Sequence, residues 1–189
     1  MKKILSLFLT LGILSACNEG GKDSVEKADS ANEAKADNTP EAGKVDEATS
    51  EFLVKAADGG LAEVEASKLG EQKASNSRVK SFATMMVADH TGANAEVKSL
   101  AAARNITLPT TPSEDNQQKA AKINEKSGKD FDKAYMEMMV DDHKKTIDLF
   151  EKAENNCKDE EVKTFIRNTL PKLKMHLNSA DSIYAVVKK

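Results

Sequence analysis

From residue 51 onward, apolar side chains recur every three or four residues, which is the period of one face of an α-helix. This pattern predicts four long helices and a shorter one after the second, at about residues 50–75, 76–104, 114–126, 129–155 and 159–186. Ser50 is a candidate N-cap for the first helix. Four long amphipathic helices are typical of a four-helix bundle, so the predicted fold class is all-α.

The connections between the helices predict the topology. Short links join the first helix to the second and the third to the fourth, so each pair should form an antiparallel hairpin. Residues 106–128 separate the hairpins, and the short helix with its extended flanks can span about 50 Å, enough to cross the bundle end to end. One long crossover between two hairpins is the ferritin-like connection, although a simple up-down-up-down order is also open.

The N-terminus has the features of a secretory signal. Residues 1–16 combine two lysines, a short apolar run and small residues before Cys17. The sequence Leu14-Ser15-Ala16-Cys17 resembles a bacterial lipobox, which implies cleavage before Cys17 and lipidation of that residue. Asn18 follows the cysteine where an inner-membrane lipoprotein of some bacteria has Asp. We therefore expect an outer-membrane lipoprotein, with its domain facing the periplasm or the cell surface.

Residues 17–50 are predicted to be the lipidated Cys17 and a flexible acidic tether. Residues 18–50 contain nine acidic residues, four lysines and only two large aliphatic side chains, too few to bury a core. The remaining domain, 51–189, has equal numbers of basic and acidic residues. This balance argues against nucleic acid as a partner. Beyond the membrane reached through the lipid anchor, the sequence identifies no protein partner.

The aromatic content of 4% and the absence of Trp argue against a β-sandwich or β-barrel. The two cysteines are too few for a disulfide scaffold. If Cys17 is lipidated, Cys157 is the only thiol of the mature chain, and its turn-like surroundings favour a surface position.

Two similar hexads carry two of the three histidines. Met85 to His90 reads MMVADH, and Met138 to His143 reads MMVDDH. His90, His143 and His176 lie on apolar stripes near the middle of their helices, and the first helix carries Glu63 and Glu65 near its own middle. Glu65 shares the apolar stripe of Leu61 and Leu69. Because the midpoints of antiparallel helices lie at one level, three imidazoles and a carboxylate can meet in one layer.

This layer has the donors of a transition-metal site, with neutral imidazole nitrogen and an anionic oxygen as ligands for Zn, Cu or Fe. The nearby methionines would suit copper(I), but methionine is also an ordinary core residue. Asp89 and Asp142 point about 100° away from the adjacent histidines, so we expect them to contact neighbouring helices. The alternative is a buried hydrogen-bonded network that only sets helix register. A di-iron oxidase is disfavoured because the Glu-x-x-His motif is missing.

The motifs of residues 51–186 resemble, in content and order, a bacterial family catalogued as domain of unknown function 4142. They are Phe52-Leu53, Ala56-Ala57-Asp58-Gly59-Gly60-Leu61-Ala62-Glu63-Val64-Glu65, Met86-Val87-Ala88-Asp89-His90, Gly128 with Phe131-Asp132, Tyr135, Asp142-His143, and Leu170-Pro171 with His176. The resemblance implies a ferritin-like helical protein that is either located in the outer membrane or secreted. It implies no activity. We expect a non-catalytic envelope protein that either binds a metal or serves as a structural, interaction or stress-response module.

Overall fold

The computed structural model describes residues 23–40 and 43–189. Regular structure within these ranges is entirely helical and comprises α1 (Ser24–Asp37), α2 (Glu47–Lys73), α3 (Ser77–Ala103), α4 (Glu114–Asn124), α5 (Gly128–Asn156) and α6 (Glu160–Val187). The five predicted helices correspond to α2–α6, which confirms the all-α bundle. None of the helices in the described ranges is both long and apolar enough to cross a membrane. The signal peptide and Cys17 lie outside the described residues.

Polar contacts at the two ends of the bundle define its topology. At one end, Arg104 after α3 donates from Nε to the carboxylate of Asp159, the N-cap of α6, at 2.7 Å. At the other end, Asp132 near the start of α5 accepts from the backbone N–H of Ser75, between α2 and α3, at 3.0 Å. Helices α3 and α5 therefore start at the same end and run parallel.

The remaining helix contacts complete this arrangement. Helix α2 packs against α3 and α5, α6 packs against α5 and α3, and α4 crosses the bundle while contacting α2 and α5. Two antiparallel hairpins joined by one long crossover form the ferritin-like connection, whereas an up-down-up-down bundle would make α3 and α5 antiparallel. The predicted crossover with a short extra helix is therefore confirmed.

Helix α2 begins earlier than predicted. Its N-cap is Asp46 rather than Ser50, and the Asp46 carboxylate accepts from the backbone N–H of Thr49 at 3.1 Å. The Thr49 hydroxyl donates to the same carboxylate at 2.7 Å. Because the Asp46 carboxylate satisfies both the backbone N–H and the hydroxyl of Thr49, α2 begins about one helical turn before Ser50.

The prediction of a flexible tether is wrong for residues 24–37, which form α1. This helix packs on α2, where Ala28 is buried. The Asn32 side chain donates to the Thr107 carbonyl at 2.9 Å and accepts from the Thr107 N–H at 2.7 Å. Lys35 donates to the Asn105 carbonyl at 2.8 Å. These bonds to the crossover order a segment that has little apolar surface of its own.

The core is divided into two apolar clusters along the bundle axis. The first contains Phe52, Leu53, Val97, Ile147, Phe150, Val162, Ile166 and Leu173, among others. Cys157 also belongs to it and is 2% exposed, so its predicted surface position is wrong. The second contains Val79, Phe82, Met86, Phe131, Tyr135, Met139 and Ala180, among others. On each long helix, the residue between the two clusters is polar, and these four residues are Glu63, His90, His143 and His176. The polar layer therefore lies at the junction of two hydrophobic half-cores.

Candidate metal centre

The three histidines converge in the interior of the bundle. His90, His143 and His176, from α3, α5 and α6, are 5%, 0% and 1% exposed. Their ring centroids lie 5.4 to 5.7 Å apart. One ring nitrogen of each lies within 4.8 Å of the other two. The shared level predicted from helix midpoints is therefore present in the structure.

Each ring has one nitrogen held by an oxygen. His90 Nδ1 lies 2.9 Å from Glu63 Oε2, and His176 Nε2 lies 2.9 Å from Asp89 Oδ2. His143 Nδ1 donates to the backbone carbonyl of Met139, one turn earlier, at 2.8 Å. Such bonds orient metal-ligating imidazoles and place the ring proton on the nitrogen that faces the oxygen.

The opposite nitrogen of each ring has no hydrogen-bond partner among the described residues. These atoms are His90 Nε2, His143 Nε2 and His176 Nδ1, and all three are buried. A buried polar atom without a partner costs about 1–3 kcal/mol. Three such atoms in one layer are more than an ordinary core retains, because buried polar groups are normally satisfied. A cation among the rings would give these nitrogens a partner.

Glu63 supplies the negative charge of the layer. Its side chain is 3% exposed, and its Oε1 lies 3.4 Å from His143 Nδ1. Because the carboxylate faces the Nδ1 atoms of His90 and His143, it lies on the side of both rings away from their Nε2 atoms. Glu63 is therefore placed to orient the rings of His90 and His143 rather than to ligate the same ion. The sequence alone did not distinguish an orienting carboxylate from a ligating one.

The electrostatics of the layer follow from burial and charge pairing. Burial alone would raise the pKa of Glu63, but the adjacent imidazoles, chiefly His90, outweigh it and lower the pKa to about 2. Burial would lower the pKa of His90, but the Glu63 carboxylate raises it above the usual value. The pKa of His176 is lowered because burial outweighs its hydrogen bond to Asp89.

Glu65 does not belong to the layer. It is exposed on α2, whereas Glu63, two residues earlier, is buried. Residues two apart on a helix point about 200° away from each other, so only one of them can face the core. The buried face of α2 follows Gly60, Glu63, Ser67 and Gly70, and Leu61 and Leu69 are only half-buried. The predicted apolar stripe had placed Glu65 with Leu61 and Leu69.

Asp89 and Asp142 contact neighbouring helices, as predicted. Asp89 holds His176 and also accepts from Lys172 of α6 at 3.2 Å. Asp142 lies 3.5 Å from Lys119 of α4. The positioning contact of Asp89 could be anticipated only as a contact to another helix, because its partner depends on how α3 and α6 pack.

The residues fit a single transition-metal ion held by three imidazoles. At bond lengths of about 2.0–2.1 Å, tetrahedral ligand atoms lie about 3.3 Å apart. Nitrogens within 4.8 Å of one another need to close by at most about 1.5 Å. Side-chain rotation on four contacting helices can supply such a change.

Met86 and Met139, one turn before two of the histidines, belong to the adjacent apolar cluster.

A family model supports the resemblance seen in the motifs. Neither a curated protein nor a solved structure matches the chain. The model described as "Domain of unknown function (DUF4142)" matches residues 34–183, which include α2 to α5 and all but the last turn of α6. The four residues of the polar layer all lie within this match, and the chain belongs to the DUF4142 family.

Proposed function

We propose that the bundle binds one transition-metal ion through His90, His143 and His176, with Glu63 and Asp89 as positioning residues. Two observations carry the proposal. Each of the three rings has one buried nitrogen without a hydrogen-bond partner among the described residues, and one nitrogen of each ring lies within 4.8 Å of the other two. The opposite side of each ring is already held by an oxygen. Three oriented imidazoles are a ligand set for Zn, Cu or Fe.

The donor set favours one ion over two. Di-iron sites in ferritin-like bundles use a glutamate from each of two helices and a Glu-x-x-His pair from each of the others. In the described part of the chain, the layer contains one glutamate, which faces away from the unpartnered nitrogens of His90 and His143. A mononuclear site therefore fits these residues better than a di-iron oxidase.

The metal is tested by elemental analysis and calorimetric titration of the full-length protein with Zn²⁺, Cu²⁺ and Fe²⁺. We expect one ion per chain with a dissociation constant of about 1 μM or tighter for at least one metal. The combined variant His90→Ala, His143→Ala and His176→Ala should lose this binding. A stoichiometry near zero, or unchanged binding by the triple variant, refutes the proposal.

The positioning role of Glu63 has a matched control two residues away. Glu63→Gln should lower metal affinity about 10–100-fold, because the outer oxygen no longer orients His90 and His143 as a carboxylate. Glu65→Gln removes the same charge from the exposed side of α2 and should leave affinity unchanged. Equal losses in both variants would assign the effect to net charge rather than to positioning.

A second candidate function is a structural, protein-interaction or stress-response module of the envelope that binds no metal. The contact of His90 with Glu63 links α3 to α2, and the contact of His176 with Asp89 links α6 to α3. Both join helices without an ion. This alternative expects histidine substitutions to lower the melting temperature by equal amounts with and without metal. Stabilisation of the wild type by metal, absent in the triple variant, contradicts it.

We also propose that Cys17 is lipidated and anchors the domain to the outer membrane, facing the periplasm or the cell surface. The support is the sequence of residues 1–18 alone. Radiolabelled palmitate should enter the wild-type chain but not Cys17→Ser, and the variant should leave the membrane fraction. Protease added to intact cells would then separate a surface-facing from a periplasmic domain. The anchor proposal is refuted if the wild type takes up no palmitate and is found in the same cell fraction as Cys17→Ser.

A further inference from the structure

A small cavity adjoins the histidine layer on the side of the first apolar cluster. Its volume is about 40 Å³, and its wall includes the buried side chains of Glu63 and His90. A water molecule needs about 10–15 Å³ by this kind of measure, so the cavity has room for about three. Its wall is otherwise formed mainly by apolar side chains, including Val97, Phe150 and Leu173.

The cavity extends from the layer toward the surface. Lys55, which also lines it, is about half exposed, and Gly59 and Thr146 are half-buried. At Gly60 a Cβ atom would lie 1.9 Å from Asn94 Oδ1, so the Asn94 side chain occupies the space that any larger residue at Gly60 would need. The cavity therefore reaches partly exposed positions through Lys55 and Gly59 of α2 and Thr146 of α5 rather than through the space beside Gly60.

The ligand set leaves a place for such a molecule. A tetrahedral ion bound by three imidazoles has a fourth position, which in catalytic sites is taken by water or substrate. Glu63 lies behind two of the rings and does not supply that fourth ligand. Its Oε1 is buried without a hydrogen-bond partner, and Glu63 lines the cavity. His90 belongs both to the ligand set and to the cavity wall.

We infer that this cavity admits an exogenous ligand of two or three heavy atoms that carries a lone pair, which binds beside His90 at the fourth position of the ion. This inference rests on the proposed metal site. It assigns the site to the metal centres that keep one coordination position open, rather than to structural centres in which protein ligands take every position. The size of the cavity excludes larger ligands. Its mainly apolar wall favours molecules of low polarity and would admit a small anion only because the ion supplies the opposite charge.

The test uses Co²⁺ as a spectroscopic substitute in the full-length protein and azide as the probe ligand. Azide should change the visible absorption of the cobalt protein saturably. Ala93→Leu on α3 and Thr146→Leu on α5 fill the cavity from different helices, and each should weaken azide binding about tenfold or more. Cobalt affinity should stay within about twofold of the wild type in both variants.

Ala95→Leu is the matched control, since Ala95 is exposed on the same helix and does not line the cavity. It should bind cobalt and azide as the wild type does. A wild type that binds cobalt but shows no azide response overturns the cavity inference and leaves the metal site standing. The same holds if both filled variants bind azide normally. A wild type that binds neither cobalt nor zinc, copper or iron overturns both proposals.

Discussion

Glu63 is the residue on which the charge balance of the layer depends. Its carboxylate contacts both His90 and His143, and its side chain is almost fully buried. A buried carboxylate without a cationic partner would be strongly unfavourable. In the metal-free protein, protonated His90 can supply that partner, and under the proposed function a bound ion would supply the positive charge.

The Glu63–His90 pair predicts a pH window for the stability of the metal-free protein. Because the pKa of Glu63 is lowered to about 2 from 4.5, its stabilisation is complete above about pH 4.5 and is lost as the pH falls toward 2. Because the pKa of His90 is raised from 6.5, its contribution is complete below about pH 6.5 and is lost as the pH rises through the raised value.

Denaturant unfolding of wild type and Glu63→Gln across pH 2–9 measures this window. The difference in their free energies of unfolding should be largest between about pH 4.5 and 6.5 and should shrink on both sides. The free energy of unfolding of Glu65→Gln should equal that of the wild type across this pH range. A difference that grows steadily from pH 6.5 to pH 9 would contradict the pairing.

The sequence was sufficient to identify the three histidines but not to choose between Glu63 and Glu65. His90, His143 and His176 lie among large apolar residues, so their buried faces are evident from spacing. On α2 the buried face instead uses small residues such as Gly60, Ser67 and Gly70. Small residues give a weak hydrophobic signal, and the larger Leu61 and Leu69 at its edge misplaced the predicted face.

At the scale of the helices, the glycines of α2 have different roles. Helix α2 continues through Gly59 and Gly60 without a break. A Cβ atom at Gly70 would lie 2.7 Å from the Cβ of Ala83 and 3.1 Å from Cζ of Tyr135. A Cβ atom at Gly59 would meet nothing within 4 Å. Close approach of α3 and α5 therefore requires glycine at position 70 but not at position 59.

Two alanine substitutions on the same helix test this difference by thermal or denaturant unfolding. Gly59→Ala should raise the free energy of unfolding by about 0.5–1 kcal/mol, because alanine favours the helix and meets no obstacle. Gly70→Ala should lower it by about 1–3 kcal/mol, because α3 or Tyr135 must move. Stabilisation by both substitutions would show that α2 and α3 are packed less closely than described.

Helix α1 is held mainly by hydrogen bonds to the crossover. Asn32→Ala removes both bonds to the Thr107 backbone, so amide hydrogen exchange in residues 24–37 should become about tenfold faster. Exchange in α2 to α6 should not change. Glu33→Ala, on an exposed position of the same helix, is the control. Equal acceleration by both variants would assign the effect to helix propensity rather than docking.

At the scale of the whole molecule, a polar layer divides one apolar core into two. The clusters on either side have large aromatic and aliphatic side chains from all four long helices. Such half-cores can fix the level of the helices and hold the rings in place. The buried polar layer then lowers the free energy of unfolding of the metal-free protein. An ion that binds to the layer would raise the free energy of unfolding again through its binding free energy.

The ferritin-like order was predictable because the connection lengths alone restrict it. Short links favour hairpins, and a crossover as long as the bundle allows α3 and α5 to run parallel, although the lengths left an up-down-up-down order open. The order of α1 was not predictable, since Asn32 and Lys35 are paired with a crossover about 70 residues away in the chain. Local composition carries no information about such a partner. The same limitation applied to the contact between Asp89 and His176.

X-ray absorption spectroscopy of the metal-loaded protein tests the central claim most directly, because it reports the atoms bound to the ion. For the zinc-loaded or copper-loaded protein we predict three imidazole nitrogens at about 2.0–2.1 Å and a fourth light-atom ligand. The imidazole signal should be lost in the triple histidine variant. A first shell of sulfur, or of oxygen without imidazole, would contradict the three-histidine site.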